Sequence, residues 1–157
     1  MNFTDILIQK NFISSEDLRN LRSESEGNSR RLEEGLMVRG ISEDVILAAK
    51  GEVLGIPTKR IKEMGRVPFD ILKFIPEESA RHYQMIPIGF NNKILDVGMV
   101  NPDNTEANEA LRFIGAKIGF KQKIYLITLS DLDAILKEYK GLGGEAVKVL
   151  GELESIL

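Results

Sequence analysis

The chain has 157 residues, 43% hydrophobic and 29% charged, with a formal net charge of −3, one histidine and no cysteine. This composition excludes disulfides, thiolate metal sites and multi-histidine metal sites, and it supplies no overall basic field to hold nucleic acid. No apolar run is long enough to span a bilayer and the first residues lack a secretory signal, so a cytoplasmic chain without membrane insertion is expected.

Residues 1–57 read as four short helices. Phe3, Ile6 and Leu7, extended by Lys10, follow the spacing of a buried helical stripe. Ser14 is placed to cap a second helix, with Asp17 three residues on and Leu18 and Leu21 on one face. The polar run Ser23 to Ser29 reads as a loop. A third helix starts at Arg30-Arg31-Leu32 and turns at Arg39-Gly40, where glycine permits a left-handed stop. Ser42 caps the fourth helix, which carries Val45, Ile46 and Ala49 inward and fades between Gly51 and Gly55.

These helices contain a degenerate repeat. The stretch from Phe3 through Leu7, Ile8 and Asn11 to Ser14 is echoed by Leu32 through Leu36, Met37 and Gly40 to Ser42. The offset is 29 residues from Leu7 to Leu36 and 28 from Ser14 to Ser42, so the copies differ by one residue in the turn. A helix, tight turn and capped second helix suit recognition or docking better than catalysis.

Residues 58–67 are basic and irregular, with Lys59, Arg60, Lys62 and Arg66, and read as a linker. Over 68–140 the order is helix, strand, strand, helix, strand, helix. A turn of helix at Pro68 to Leu72 precedes Pro76-Glu77-Glu78, a helix start. Strands at Met85 to Phe90 and Lys93 to Val100 flank a turn at Asn91-Asn92. Asp96 within the second strand implies an edge or an exposed face. A helix from Thr105 to Ile114 should stop at Gly115, the strand Phe120 to Thr128 follows, and Ser130 should cap the last helix, with Leu132, Ile135, Leu136 and Tyr139 on its face. The fold class is therefore α+β: an N-terminal bundle of short helices, then a small sandwich with helices on one sheet face. Residues 141–157 read as a glycine hinge and an amphipathic helix.

Catalytic signals are absent. No phosphate-loop motif occurs, so this chain should not bind ATP, and Gly141, Gly143 and Gly144 follow a helix rather than a strand. His82 has no local nucleophile signature. The acid pairs Glu16-Asp17, Glu43-Asp44 and Glu77-Glu78 sit in first helical turns, complementing the helix dipole. Arg30, Arg31 and Arg39, near the Gly40 turn, form the most distinctive charge cluster, suited to an acidic partner or to an anionic nucleotide.

The block Arg31-Leu32-x-x-x-Leu36-Met37-x-x-Gly40-Ile41-Ser42, its weaker upstream copy, Gly55-Ile56-Pro57, Ile75 to Arg81, Met85 to Ile88 and Leu95 to Pro102 resemble the N-terminal domain of type II secretion and type IV pilus assembly ATPases, the MshEN-like family. The resemblance runs over about residues 1–140. It implies a regulatory and docking module preceding an ATPase domain and engaging the cytoplasmic part of an inner-membrane platform protein. In one branch it implies cyclic di-GMP bound through two tandem Arg-Leu-Gly-led motifs. Arg31, Leu32, Leu36, Met37, Gly40 and Ile41 match that motif and are the candidate nucleotide-binding residues; Arg30, Arg39, Phe3 and Leu7 are candidates for partner docking. Glu33 stands where the family has its first Gly, and Asn2, Phe3 and Thr4 fill the Arg-Leu-Gly positions of the first copy. Ser25 and Val53 stand nearest the missing closing Gln. The expectation is a docking domain without tight cyclic di-GMP binding; the alternatives are a cyclic di-GMP sensor and a free-standing adaptor.

Overall fold

The computed structural model describes residues 1–61 and 64–139; the expected hinge and tail helix over 141–157 lie outside the described residues. By backbone contacts the chain divides into two compact units, Met1–Thr58 and Lys59–Leu157. Among the described residues no helix is long and apolar enough to cross a membrane.

The first unit contains α1 (Phe3–Gln9), α2 (Ser15–Ser25), α3 (Ser29–Val38) and α4 (Glu43–Leu54). Each begins under a side-chain cap, from Asn2, Ser14, Asn28 and Ser42 respectively. The two expected serine caps accept from Asp17 N–H at 3.1 Å and Val45 N–H at 3.2 Å. The Ser23 to Ser29 loop is shorter than expected. Helix α2 runs to Ser25, and Glu26 and Gly27, with φ of 50° and 77°, break it before Asn28 caps α3. Lys10 is exposed rather than part of the stripe, and pairs with Glu52 at 3.2 Å.

Helix α1 packs on α4 and α2 on α3, around Ile6, Leu7, Leu18, Leu21, Leu36, Ile41, Ile46 and Ala49. The repeat is reproduced bond for bond in its turns. Lys10, Asn11 and Phe12 donate to the carbonyls of Ile6, Ile8 and Leu7; Arg39, Gly40 and Ile41 donate to those of Gly35, Met37 and Leu36. Both turns pass through a left-handed residue, Asn11 at φ 62° and Gly40 at φ 93°. The extra residue of the first copy then shows in what is buried: Phe12 is 46% exposed and Ile13 takes the inward place that Ile41 holds in the second copy.

The second unit orders α5 (Phe69–Leu72), α6 (Glu77–Tyr83), β1 (Met85–Asn91), β2 (Ile94–Met99), α7 (Thr105–Ile118), β3 (Lys121–Leu126) and α8 (Leu129–Glu138). The sheet order is β1-β2-β3, with β1 antiparallel and β3 parallel to β2. A bulge at Ile88 shifts the β1–β2 register between Pro87 and Gly89. Helices α5, α6 and α8 lie against β1 and α7 against β3, enclosing Leu72, Ile75, Met85, Leu95, Val97, Met99 and Leu111, all 0% exposed. The stretch 58–67, expected as a linker, carries Ile61 and Val67 into this core.

Four local expectations are corrected. The hairpin turn is Asn92-Lys93, at φ 52° and 62°, one residue later than expected. Helix α7 continues through Gly115 to Ile118, and Gly119, at φ 100°, is its left-handed stop. Gly115 is needed for packing instead: a Cβ there would lie 2.8 Å from the Phe120 carbonyl oxygen. Thr128, not Ser130, caps α8, accepting from Asp131 N–H at 3.1 Å. Asp96 lies on the central strand, so a partly open face explains it and an edge does not.

Two polar clamps fix this unit. Asp131, buried, accepts from Arg60 Nε at 3.1 Å and from Ile61 N–H at 2.8 Å, tying the start of the unit to α8. The Tyr139 hydroxyl donates to the carbonyls of Leu72 at 3.1 Å and Ile75 at 2.8 Å. Burial, reinforced by the charge of Glu77, pushes the phenol's pKa well above its usual value.

Candidate functional site

The starts of the two repeat copies meet at a cavity of about 340 Å³ in the first unit. It is lined by Asn2, Phe3 and Thr4 at the start of α1, Arg22 and Ser25 on α2, Gly27, Asn28 and Ser29 at the α2–α3 turn, and Leu32 on α3. Phe3 and Leu32 hold equivalent places in the two copies, so the cavity is built from the repeat.

Its polar wall is assembled by the capping of α1. Asn2 Oδ1 accepts from the N–H groups of Thr4 at 3.0 Å and Asp5 at 3.2 Å, while Asn2 N–H donates to Asp5 Oδ2 at 3.0 Å. The buried Thr4 hydroxyl donates to Asn2 Oδ1 and accepts from Arg22 Nη2 at 2.6 Å. In the second copy Lys50 takes the place of Arg22, and Glu33 that of Thr4. Lys50 and Glu33 form an ion pair with about 30% of each side chain exposed, and the same ammonium lies 5.1 Å from the Phe3 ring centroid. Each copy thus ties a cation on its second helix to a polar side chain on its first. The difference is in charge: Glu33 neutralises Lys50, whereas Thr4 gives Arg22 only a hydroxyl.

The candidates from the sequence are dispersed. Of the nucleotide set, Leu32 lines the cavity, Leu36 and Ile41 are buried in the core, and Gly40 forms the turn at the far end of α3. Met37 is 39% exposed, and Arg31 is exposed with its backbone N–H bonded to Asn28. Of the docking set, Phe3 lines the cavity and Leu7 is wholly buried. Arg30 pairs with Glu34 at 3.6 Å and Arg39 with Asp17 at 3.5 Å. Sequence reading missed Arg22, Ser25 and Asn28 as cavity residues. Applying the 28-residue offset to Lys50 points to Arg22, and Asn2 with Asp5 was a legible capping box.

Architecture and site define an α+β domain built on a helical repeat, with a cavity where the two copies begin. The chain belongs to the MshEN domain family, whose model matches residues 54–146 of the 157. The match begins at the last residue of α4 and so falls mainly on the second unit. Over 151 residues the chain is 26% identical to the type IV pilus assembly ATPase PilB of Myxococcus xanthus (strain DK1622), covering 95% of this chain and 26% of that protein. The chain therefore spans about a quarter of the length of this curated relative. Among solved structures, MshE with cdg matches at a TM-score of 0.68 with 22% identity, covering 88% of this chain and 99% of that one. The N-terminal domain of XpsE matches at 0.60 with 20% identity, covering 87% and 92% respectively.

Proposed function

We propose that this chain is a non-catalytic regulatory and docking domain of a secretion or pilus-assembly ATPase, linking the motor to the cytoplasmic part of an inner-membrane platform protein. In that role it is cytoplasmic and peripheral to the membrane through its partners, and ATP is handled by a separate domain. The observation that carries the reading is the alignment of nearly this whole chain with about a quarter of a pilus-assembly ATPase, together with its membership of the MshEN family. Co-expression of the full-length ATPase with the platform protein's cytoplasmic part tests it. Co-purification that is lost when residues 1–139 are deleted is expected; retention without them contradicts the reading.

The cavity also favours a second reading, a cyclic di-GMP sensor, because MshE was solved with cdg and the cavity lies at the start of the repeat motif. Its chemistry opposes tight binding. By the family motif the positions of Thr4 and Glu33 are glycines that let phosphate approach, and the position of Asn2 is an arginine. Here a carboxylate occupies one approach and a hydroxyl bonded to Arg22 occupies the other. A repelling carboxylate and a missing guanidinium each cost about 1 kcal/mol or more, which together removes low-micromolar affinity. The repeat scaffold is kept and its nucleotide chemistry is replaced.

A further inference from the structure

One end of the sheet is bare on the face shared by Ile94, Asp96, Lys121, Lys123 and Tyr125. Parallel pairing sets Ile94 beside Lys121, Asp96 beside Lys123 and Gly98 beside Tyr125, so these side chains project to one side. The opposite side carries Leu95, Val97 and Met99, fully buried in the core. At the C-terminal end of the shared face Ile127 is 2% exposed and lies over Gly98, its Cγ2 2.8 Å from where a Cβ would stand. At the other end Ile94 is 42% exposed and both Lys121 and Lys123 are exposed.

Positive charge runs along this face towards Tyr125. The ammonium groups of Lys59 and Lys123 lie 4.4 Å and 5.4 Å from the centroid of the same Tyr125 ring. Among the described residues, none of Lys59, Lys121 and Lys123 has a carboxylate within ion-pair distance, although Asp96 stands beside Lys123 in the register. Lys121 beside the exposed Ile94, Lys123 two residues on and Lys59 at the Tyr125 ring make a line of three cations along this face, in contrast with a chain of net charge −3.

We propose that this sheet face docks an acidic segment of a partner protein, seating an apolar side chain on Ile94 while Lys59, Lys121 and Lys123 meet its carboxylates. Asp96 favours a peptide over an anionic lipid surface, because it can accept a backbone N–H, a donor that a layer of phosphates lacks. The inference rests on the docking reading and names a surface for it.

The test is fluorescence anisotropy of the purified chain with a labelled peptide of alternating Glu and Leu, and sedimentation with phosphatidylserine vesicles. Saturable peptide binding that weakens with salt is expected, about tenfold weaker in Lys121→Glu/Lys123→Glu and unchanged in Arg19→Glu, an exposed cation on α2. Lys121→Ala/Lys123→Ala should weaken it in the same direction, and circular dichroism checks that each variant folds. Equal affinity in the double reversal, an equal loss in Arg19→Glu, no peptide binding, or binding to vesicles in preference to peptide overturns the proposal. Loss of platform co-purification with peptide binding intact would instead contradict only the function proposed above.

Discussion

Replacing Gly115 by alanine should destabilise the second unit although it improves helix propensity. Gly115 lies in the last turn of α7, and its carbonyl accepts from Gly119 N–H at 2.7 Å and Phe120 N–H at 3.0 Å. The chain folds back so closely that a Cβ would meet the Phe120 oxygen at 2.8 Å and ring carbons at 3.1 Å and 3.3 Å. That oxygen is backbone at the entry to β3, and the ring packs edge-on to Phe74 at 6.0 Å, so neither can swing aside. Overpacking of this kind costs about 1–3 kcal/mol, against about 1 kcal/mol gained from Gly to Ala within a helix. Because the backbone oxygen cannot yield, the cost falls at the upper end of that range, and the net loss is about 2 kcal/mol, or a fall in Tm of about 5 °C or more. The chain has no tryptophan and its three tyrosines, Tyr83, Tyr125 and Tyr139, all lie in the second unit, so tyrosine fluorescence during urea denaturation reads that unit alone. Gly35→Ala is the informative comparison. Its Cβ would come even closer to an atom, 2.6 Å, but that atom is the Leu21 Cδ2 methyl, which can rotate away. It should cost less than Gly115→Ala, read by circular dichroism. A Gly115→Ala protein as stable as the parent would refute the reasoning.

Two further substitutions probe the clamps. Asp131→Ala removes the carboxylate that accepts from Arg60 and Ile61 in a setting where the paired side chains are 9% and 4% exposed. A loss of about 3 kcal/mol in unfolding free energy is expected by urea titration, and a loss under about 1 kcal/mol would contradict a buried clamp. Tyr139 links stability to alkaline pH. Its folded pKa is raised, so its contribution is fully present below the unfolded value of about 10 and is lost as pH rises from there towards the folded one. Tyr139→Phe should lower stability at neutral pH by about 1–3 kcal/mol through the unpaired Leu72 and Ile75 carbonyls, and should flatten the decline above about pH 10. An unchanged alkaline slope would show that the phenol is not the titrating group.

Much of the scaffold was legible because its signals are local. Ser14 and Ser42 stand just before apolar periodicity, and the alternation through Leu95, Val97 and Met99 marks a strand with one covered face. What escaped depends on long-range packing. Gly115 and Gly119 are four residues apart and look alike in sequence, yet one stops the helix and the other makes room for Phe120, a contact that periodicity cannot register. Ser130 was expected to cap α8, but the cap is set by where β3 ends, and Thr128 takes it. The resemblance drew attention to Arg31, but the folded repeat sets Arg22 on the cavity and holds Lys50 to Glu33. The one-residue change in the turn hides the equivalence of those two cations unless the offset is corrected across it.

The claim that the repeat has kept its scaffold and replaced its nucleotide chemistry is tested most directly by calorimetric titration of the chain with cyclic di-GMP. No low-micromolar binding is expected, and no change on Arg31→Ala. A low-micromolar Kd that Arg31→Ala abolishes would contradict it.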